Sequence, residues 1–363
     1  MDLLTSILFV VGIVVLVVGA DVLVRGAAHL AAAVGLSPLV IGLTVVSYGT
    51  SAPELAVSIQ ASWVGQADLA LGNVVGSNIM NVLLILGFSA LLIPLTVARQ
   101  LLWFDVPLMV ALSALTLVVG LDGRIGRLDG VVFVGMLVAY TVFLIGKSRR
   151  EVAAERAAAP ELYAHLAAAT FSGILLDLIL IVLGLGLLVL GSRWLVEGAV
   201  AIATALGVSE LLIGLTVVAV GTSLPEMATT VAAAARGQRD IAVGNVVGSC
   251  IFNIISVLGV SSLVSPDGIR VSPQALQFDI PVMIGVSIAC LPVFYTGGTV
   301  SRWEGALFFG YYVAYTIYLI LHATGNGALP MFQDAMLWFV IPLTAVTLTV
   351  HGWHCFHSKR VHP

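Results

Sequence analysis

The stretch GLTVVSYGTSAPE at residues 42–54 decides the fold, because it occurs a second time as GLTVVAVGTSLPE at residues 214–226. Ten of the thirteen positions are identical, and the two copies lie 172 residues apart. At the same offset, GNVVGSNIMNV at 72–82 recurs as GNVVGSCIFNI at 244–254. An internal repeat at a fixed offset predicts a chain built from two related halves.

The composition is that of a membrane protein. Of 363 residues, 60% are hydrophobic and 9% are charged, and the mean hydropathy is +1.12. This is too little charge to cover a soluble protein of this size. The net charge of −4 and the scattered basic residues exclude a nucleic-acid-binding face. The cysteines Cys250, Cys290 and Cys355 lie far apart, so we expect no disulfide framework.

Apolar stretches long enough to cross a bilayer, about 20 residues each, predict eleven helices. They lie near residues 4–33, 38–63, 69–92, 102–121, 128–146, 173–205, 211–235, 241–264, 276–296, 303–322 and 332–353. The sequence thus predicts an all-α polytopic membrane protein with two five-helix repeats and one extra C-terminal helix. The expected divisions are a first repeat at 1–146, a linker at 147–171, a second repeat at 172–323, and the extra helix with a short tail at 324–363.

The odd number of helices in each repeat sets the orientation. The second copy must enter the membrane from the opposite side, which gives inverted repeats with the substrate site at the midplane between them. Basic residues favour cytoplasmic loops. With the N-terminus outside, eleven Lys and Arg fall on inward loops and three on outward loops. We therefore expect an external N-terminus, a cytoplasmic linker and a cytoplasmic C-terminus.

Each repeat carries a glutamate inside a membrane helix, directly after a proline. Pro53 and Pro225 lack an N–H and bend their helices, so the sequence predicts breaks at Gly49, Pro53, Gly221 and Pro225. Carboxylates at membrane depth are functional by default, and two of them, one per repeat, favour a shared cation site. Glu54 and Glu226, with carbonyls of Thr50 and Thr222, offer the hard oxygens that Ca²⁺ prefers. Mg²⁺, which sheds its water reluctantly, fits less well.

The alternative is that both glutamates are salt-bridge partners within the bundle. The basic residues near membrane depth, Arg25 and Arg193, are instead expected to pair with Asp21 and Glu197, four positions away on their own helices.

Two further motifs have structural interpretations. Asp105 and Asp279, each two residues before a proline, predict helix starts with an aspartate cap. The tail residues His351, His354, Cys355 and His357 are compatible with a metal site or with a plain helix end.

The third helix of each half contains GxxxG, at Gly72–Gly76 and at Gly244–Gly248, which is typical of close helix packing. Packing does not require the polar residues that follow at i and i+4 spacing on one face. They predict a polar lining, with interhelical hydrogen bonding as the alternative. These residues are Ser77, Asn81, Ser249 and Asn253.

The repeated GTS-x-PE followed by GN-x-x-GS-x-I-x-N resembles the alpha repeats of the calcium/cation antiporter superfamily, specifically its prokaryotic sodium/calcium exchanger branch. The resemblance implies alternating access with sliding first and sixth helices, one Ca²⁺ site and several Na⁺ sites. It implies that Glu54, Glu226 and the carbonyls of Thr50 and Thr222 hold Ca²⁺. The residues implied for Na⁺ or for lining the site are Ser47, Ser51, Ser77, Asn81, Ala219, Ser223, Ser249 and Asn253.

Two positions depart from that family. Asn253 stands where archaeal-type exchangers often have Asp, and Ser47 stands where they often have Ala, so the number of Na⁺ ions is open. We expect a Ca²⁺/Na⁺ antiporter of a prokaryotic inner membrane, with no cofactor and no enzymatic activity. The alternatives are H⁺ or K⁺ as a coupled ion, a cation channel, and an intramembrane hydrolase using Ser51 or Ser223, which lacks a base in reach.

Overall fold

The computed structural model describes residues 3–158, 171–208, 213, 217 and 219–347, and these are almost entirely helical. Helices of the first half are α1 (Leu3–Val34), α2 (Pro38–Thr50), α3 (Ala52–Trp63), α4 (Leu69–Leu92), α5 (Leu101–Gly120) and α6 (Arg127–Ala158). The others are α7 (Phe171–Ala205), α8 (Leu224–Ala235), α9 (Arg239–Val264), α10 (Ala275–Tyr295), α11 (Arg302–Ala323) and α12 (Leu329–Thr347).

Within the described ranges, nine helices are long and apolar enough to cross a membrane, and α2 with α3 makes a tenth, bent span. All ten lie at predicted positions. The remaining predicted helix, 211–235, lies partly outside the described residues, and α8 is its second part. Helix α6 continues through Gly146 to Ala158, so no break separates the first repeat from the predicted linker. The histidines of the tail lie outside the described residues.

The first helices of the two halves run antiparallel and touch through glycines. A Cβ on Gly12 would lie 2.9 Å from the carbonyl oxygen of Gly191, and one on Gly19 would lie 3.0 Å from that of Gly184. Gly12 and Gly184 are equivalent positions of the repeat, as are Gly19 and Gly191. Small residues let two backbones approach this closely in a membrane.

Short strands join the halves at two places. Strand β1 (Leu95–Thr96) pairs with β4 (Thr299–Val300), and β2 (Arg124–Ile125) pairs with β3 (Ile269–Arg270), both antiparallel. Each strand of the first half therefore pairs with a strand of the second. Strands β1 and β3 follow the third helix of their own half, α4 and α9. Strands β2 and β4 precede the fifth helix of their own half, α6 and α11.

The third helices, α4 and α9, form the centre of the bundle. Residues 241–252 of α9 are all buried, although many of them are small or polar. A Cβ on Gly248 would lie 2.8 Å from the carbonyl oxygen of Leu43, so GxxxG packing of α9 against α2 is confirmed. The residues equivalent to Leu39 and Leu43 in the second half lie outside the described residues, and the packing of Gly72 and Gly76 remains a prediction.

The predicted aspartate caps are wrong. Helix α5 is continuous across Asp105, which has helical backbone angles and makes no capping bond. Leu101–Asp105 forms a π-helical turn, and Ala275–Asp279 forms the equivalent turn in α10. Because Pro107 offers no N–H, a wider turn ahead of it lets the helix continue without a break. The buried Asp105 carboxylate instead accepts the Tyr140 hydroxyl at 3.0 Å.

Candidate functional site

The helix carrying each glutamate is broken three residues before it. Ser51 separates α2 from α3, which meet at 46°, and its φ and ψ are −82° and 7°. Ser223 precedes α8 with nearly the same angles, −95° and 9°. The structure therefore interrupts both helices within the GTS-x-PE motifs, at Ser51 and Ser223, each between the glycine and the proline where breaks were predicted. Glu54 and Glu226 lie in the first turn after the break, and each is 1% exposed.

Each glutamate is hydrogen-bonded by a serine of the other half. The hydroxyl of Ser51 donates to Oε1 of Glu226 at 2.9 Å. The hydroxyl of Ser223 donates to Oε1 of Glu54 at 3.1 Å. Because Ser51 and Ser223 are equivalent positions, the two bonds are one interaction made twice, and they bring both carboxylates to a shared site between the halves.

The two threonines flank the same carboxylates. Thr50 lies beside Glu226, and Thr222 lies beside Glu54. Thr50 is fully buried, and its hydroxyl donates to Oδ1 of Asn245 at 3.2 Å. The structure therefore gathers both GTS-x-PE motifs, far apart in sequence, around one point.

Five buried oxygens of the predicted site residues have no hydrogen-bond partner. A buried polar atom without a partner costs free energy, and native proteins contain few of them. A cation that accepts hard oxygen ligands would satisfy the two carboxylate oxygens. The unpartnered oxygens are Oε2 of Glu54, Oε2 of Glu226, Oδ1 of Asn81, Oδ1 of Asn253 and Oγ of Ser249.

The third helices meet beside these oxygens through an amide network. The Asn253 side chain donates to Oδ1 of Asn78 at 3.1 Å, and Asn78 donates to the carbonyl of Cys250 at 3.1 Å. Asn78 and Cys250 are equivalent positions of the repeat. Asn253, one of the predicted lining residues, therefore forms the interhelical hydrogen bond that the alternative interpretation expects, while the lining role stays a prediction.

The remaining predicted lining residues have different surroundings. Ser47 is fully buried, and its hydroxyl donates to the carbonyl of Leu43 at 2.8 Å, one turn earlier on its own helix. Ser77 is buried in α4. The side chain of Ala219 lies outside what the structure describes.

A family model described as "Sodium/calcium exchanger protein" matches residues 4–146 and 176–321. The chain belongs to the sodium/calcium exchanger family. It is therefore an integral multi-pass membrane transporter of cations and not an enzyme. The two matched segments correspond to the two halves that the repeat predicts.

Relatives cover most of the chain. Inner membrane protein YrbG of Escherichia coli K12 is 39% identical over 288 residues, which are 79% of this chain and 87% of YrbG. Sodium/calcium exchanger MaX1 of Methanosarcina acetivorans is 36% identical over 345 residues, covering 86% of this chain and 97% of MaX1. A solved structure of the sodium-calcium exchanger NCX_Mj, soaked with Na⁺ and Ca²⁺, superposes with a TM-score of 0.73 at 30% identity, covering 86% and 97%.

Two asparagines of this exchanger-family chain were missed as site residues. Asn73 donates to the carbonyl of Glu54 at 3.1 Å and to the Ser58 hydroxyl at 2.9 Å. The equivalent Asn245 donates to the carbonyl of Glu226 at 3.4 Å and to the hydroxyl of Thr230 at 3.1 Å. The signal was present in the sequence, since both asparagines stand in the repeated GNVVGS.

The salt-bridge alternative for the glutamates has no support in the described part of the chain, where no Lys or Arg pairs with either one. The predicted pairs are confirmed: Arg25 lies 2.9 Å from Asp21, and Arg193 lies 2.7 Å from Glu197. Asp21 also contacts Arg236, directly after α8, which was not predicted. A charge of the first helix is thus tied to the helix that carries Glu226.

Proposed function

We propose that this chain is a secondary active antiporter that exchanges Ca²⁺ for Na⁺ by alternating access, at a site between two inverted five-helix repeats. The observation that carries the proposal is the pair of buried carboxylates of Glu54 and Glu226, each hydrogen-bonded by the other half and each with one oxygen unpartnered. The site is therefore built equally from both halves.

The charge of the site favours a divalent cation. Two buried carboxylates without a basic partner are costly unless a cation neutralises them. One Ca²⁺ matches the charge of both, and it accepts six to eight oxygen ligands in flexible geometry. Its proposed ligands are Glu54, Glu226 and the carbonyls of Thr50 and Thr222.

Sodium competes for the same charge. Na⁺ ions around the carboxylates would use the neutral oxygens nearby, which are those of Ser47, Ser51, Ser77, Asn81, Ala219, Ser223, Ser249 and Asn253. Since the cation-free site leaves two buried carboxylates uncompensated, movement of the empty carrier is disfavoured. A carrier that moves only when loaded couples the two ions and is an exchanger rather than a channel.

Three sets of paired contacts support the proposed inversion of the repeats. The first helices cross antiparallel through Gly12 and Gly191, the strands pair between halves, and the Ser–Glu bonds are reciprocal. In such folds the substrate site lies at the midplane, and one group of helices moves against the rest. We propose that α1 and α7 form the moving pair, with the N-terminus outside and the C-terminus in the cytoplasm of a prokaryotic inner membrane.

Uptake of ⁴⁵Ca²⁺ into proteoliposomes tests this proposal and separates the coupled ions. Vesicles loaded with Na⁺, with K⁺, with both, or with a pH gradient alone are compared at equal protein. We expect uptake with internal Na⁺ and none with a pH gradient alone. Uptake driven by protons would select the Ca²⁺/H⁺ alternative, a need for K⁺ the K⁺-dependent one, and Ca²⁺ flux without any counter-ion gradient a channel.

A further inference from the structure

Several buried hydroxyls among the described residues are hydrogen-bonded within their own helix. Thr44, Ser113, Thr116 and Ser287 each donate to a backbone carbonyl four residues earlier, at 2.6–2.9 Å. This is the ordinary bond for a serine or threonine inside a helix. Such a bond needs no partner outside the helix.

Two serines near one end of the bundle do not follow this rule. Ser62 in α3 and Ser261 in α9 are both 0% exposed, and neither hydroxyl has a hydrogen-bond partner. A carbonyl four residues earlier would be the usual acceptor, so the buried hydroxyls remain available to another polar species. The cost of leaving them unpaired favours such a species when it is present.

Ser62 continues a line of polar side chains that begins at the ion site. Glu54, Ser58 and Ser62 are spaced four residues apart, which places them on one face of α3. At 1.5 Å per residue, the line covers about 12 Å. All three are buried, and the hydroxyl of Ser58 accepts a bond from Asn73. The line therefore connects the carboxylate to the end of α3 at Trp63.

Ser261 belongs to the last six residues of α9, Gly259–Val264, which pack against α3. Both α3 and α9 end within three residues of these serines, so the unpaired hydroxyls lie near the same membrane face. The equivalent arrangement of α8 and α4, related to this one by the repeat, is only partial. Ser89, equivalent to Ser261, is also buried and unpartnered, but Ala234 stands where Ser62 would be.

We propose that Ser58, Ser62 and Ser261 line a passage through which a cation moves between Glu54 and the membrane face at the end of α3. This hydroxyl passage rests on the proposed exchange function and gives it a route. Neutral hydroxyl oxygens replace some of the water that a small mono- or divalent cation sheds. They bind it too weakly to trap it, as conduction through a narrow path requires.

Cysteine accessibility tests the passage directly. Ser62→Cys and Ser261→Cys are made in the full chain with Cys250, Cys290 and Cys355 replaced, and the purified protein in lipid nanodiscs is treated with a charged, impermeant methanethiosulfonate. Ser113→Cys is the matched control, since Ser113 is equally buried but bonds to the carbonyl of Met109. We expect both passage cysteines to react at least ten-fold faster than the control, and Ca²⁺ to slow their reaction.

Reaction rates equal to that of Ser113→Cys, or rates that Ca²⁺ does not change, would overturn the passage. The labelling needs no transport, so its failure is distinct from failure of the proposed function. Uptake of ⁴⁵Ca²⁺ by the same cysteine-replaced background tests that function separately. In the wild-type background, Ser62→Ala should lower the exchange rate about five-fold, whereas Ser113→Ala should leave it within two-fold, and equal rates for the two variants would contradict the passage.

Discussion

The hydroxyl of Ser51 in the first half donates to the carboxylate of Glu226 in the second half across 2.9 Å. The equivalent bond, from Ser223 to Glu54, measures 3.1 Å. Each glutamate is thus positioned by the half to which it does not belong. Loss of either bond therefore affects the site that the two carboxylates share.

The reciprocal bonds predict that Ser51→Ala and Ser223→Ala weaken Ca²⁺ transport by similar amounts. A hydrogen bond to a charged group contributes about 1.5 kcal/mol or more, so the apparent Ca²⁺ affinity should fall roughly ten-fold in each variant. Initial rates of ⁴⁵Ca²⁺ uptake at varied Ca²⁺ concentration measure this effect. Ser113→Ala, buried outside the site, is the control. A large loss in one variant and none in the other would show that the two halves are not equivalent at the site.

The unpartnered oxygen of Asn253 predicts a graded response to substitution. Both Asn253→Asp and Asn253→Leu remove the amide that donates to Asn78, but only the aspartate keeps an oxygen where Oδ1 now lies. We expect the aspartate variant to retain more Na⁺-dependent Ca²⁺ uptake than the leucine variant at equal expression. If both lose uptake equally, the residue acts through packing and not as an oxygen ligand.

The contact between Asp21 and Arg236 predicts that this ion pair slows exchange by restraining α1. Asp21 belongs to α1, and Arg236 directly follows α8, so the ion pair holds the proposed moving pair to the helix of Glu226. Both side chains are about one-third exposed, and such pairs contribute about 0.2–1 kcal/mol. Arg236→Gln should therefore raise the exchange rate by no more than about five-fold.

Arg193→Gln is the matched control for the Asp21–Arg236 ion pair, because Arg193 pairs only with Glu197 of its own helix among the described residues. Its exchange rate should equal that of the wild type. If Arg236→Gln and Arg193→Gln exchange at the same rate, at matched protein in proteoliposomes, the Asp21–Arg236 ion pair does not slow exchange.

The odd number of helices per repeat predicts opposite exposure for two loops. Cysteines at Ala158, at the end of α6, and at Gly123, in the turn between α5 and β2, are placed in a background without native cysteines. Ala158→Cys should resist an impermeant thiol reagent in intact cells and react after permeabilisation, whereas Gly123→Cys should react in intact cells. Labelling of both from the same side would contradict the five-helix repeat.

The repeat itself made much of the fold and part of the site predictable. Two copies of GTS-x-PE were enough to predict two halves, two broken helices and a pair of membrane glutamates, because proline and a membrane carboxylate have strong local consequences. The bond from Ser51 to Glu226 was not predictable, since it depends on how distant helices pack. The roles of Asn73 and Asn245 were missed because a repeated asparagine beside GxxxG does not show which carbonyl it contacts.

Two helices continue further than their local sequence signals indicated. Asp105 was expected to cap a helix because of the proline that follows, yet a π-helical turn lets α5 continue through it. The segment after Gly146 was expected to be a short surface helix or a linker, and α6 continues through it to Ala158 because no proline or other breaker stands between them. A hydropathy window finds where a helix leaves the apolar region, not where its hydrogen bonds end.

The central claim is that Glu54 and Glu226 together bind the transported Ca²⁺, and one measurement tests it most directly. ⁴⁵Ca²⁺ uptake into Na⁺-loaded proteoliposomes is compared for wild type, Glu54→Gln, Glu226→Gln and Glu197→Gln, the last a surface glutamate that pairs with Arg193. Each site variant removes half of the carboxylate charge facing the divalent ion. We predict that both site variants abolish uptake while Glu197→Gln retains it. Wild-type uptake by either site variant, at equal protein, would contradict the account.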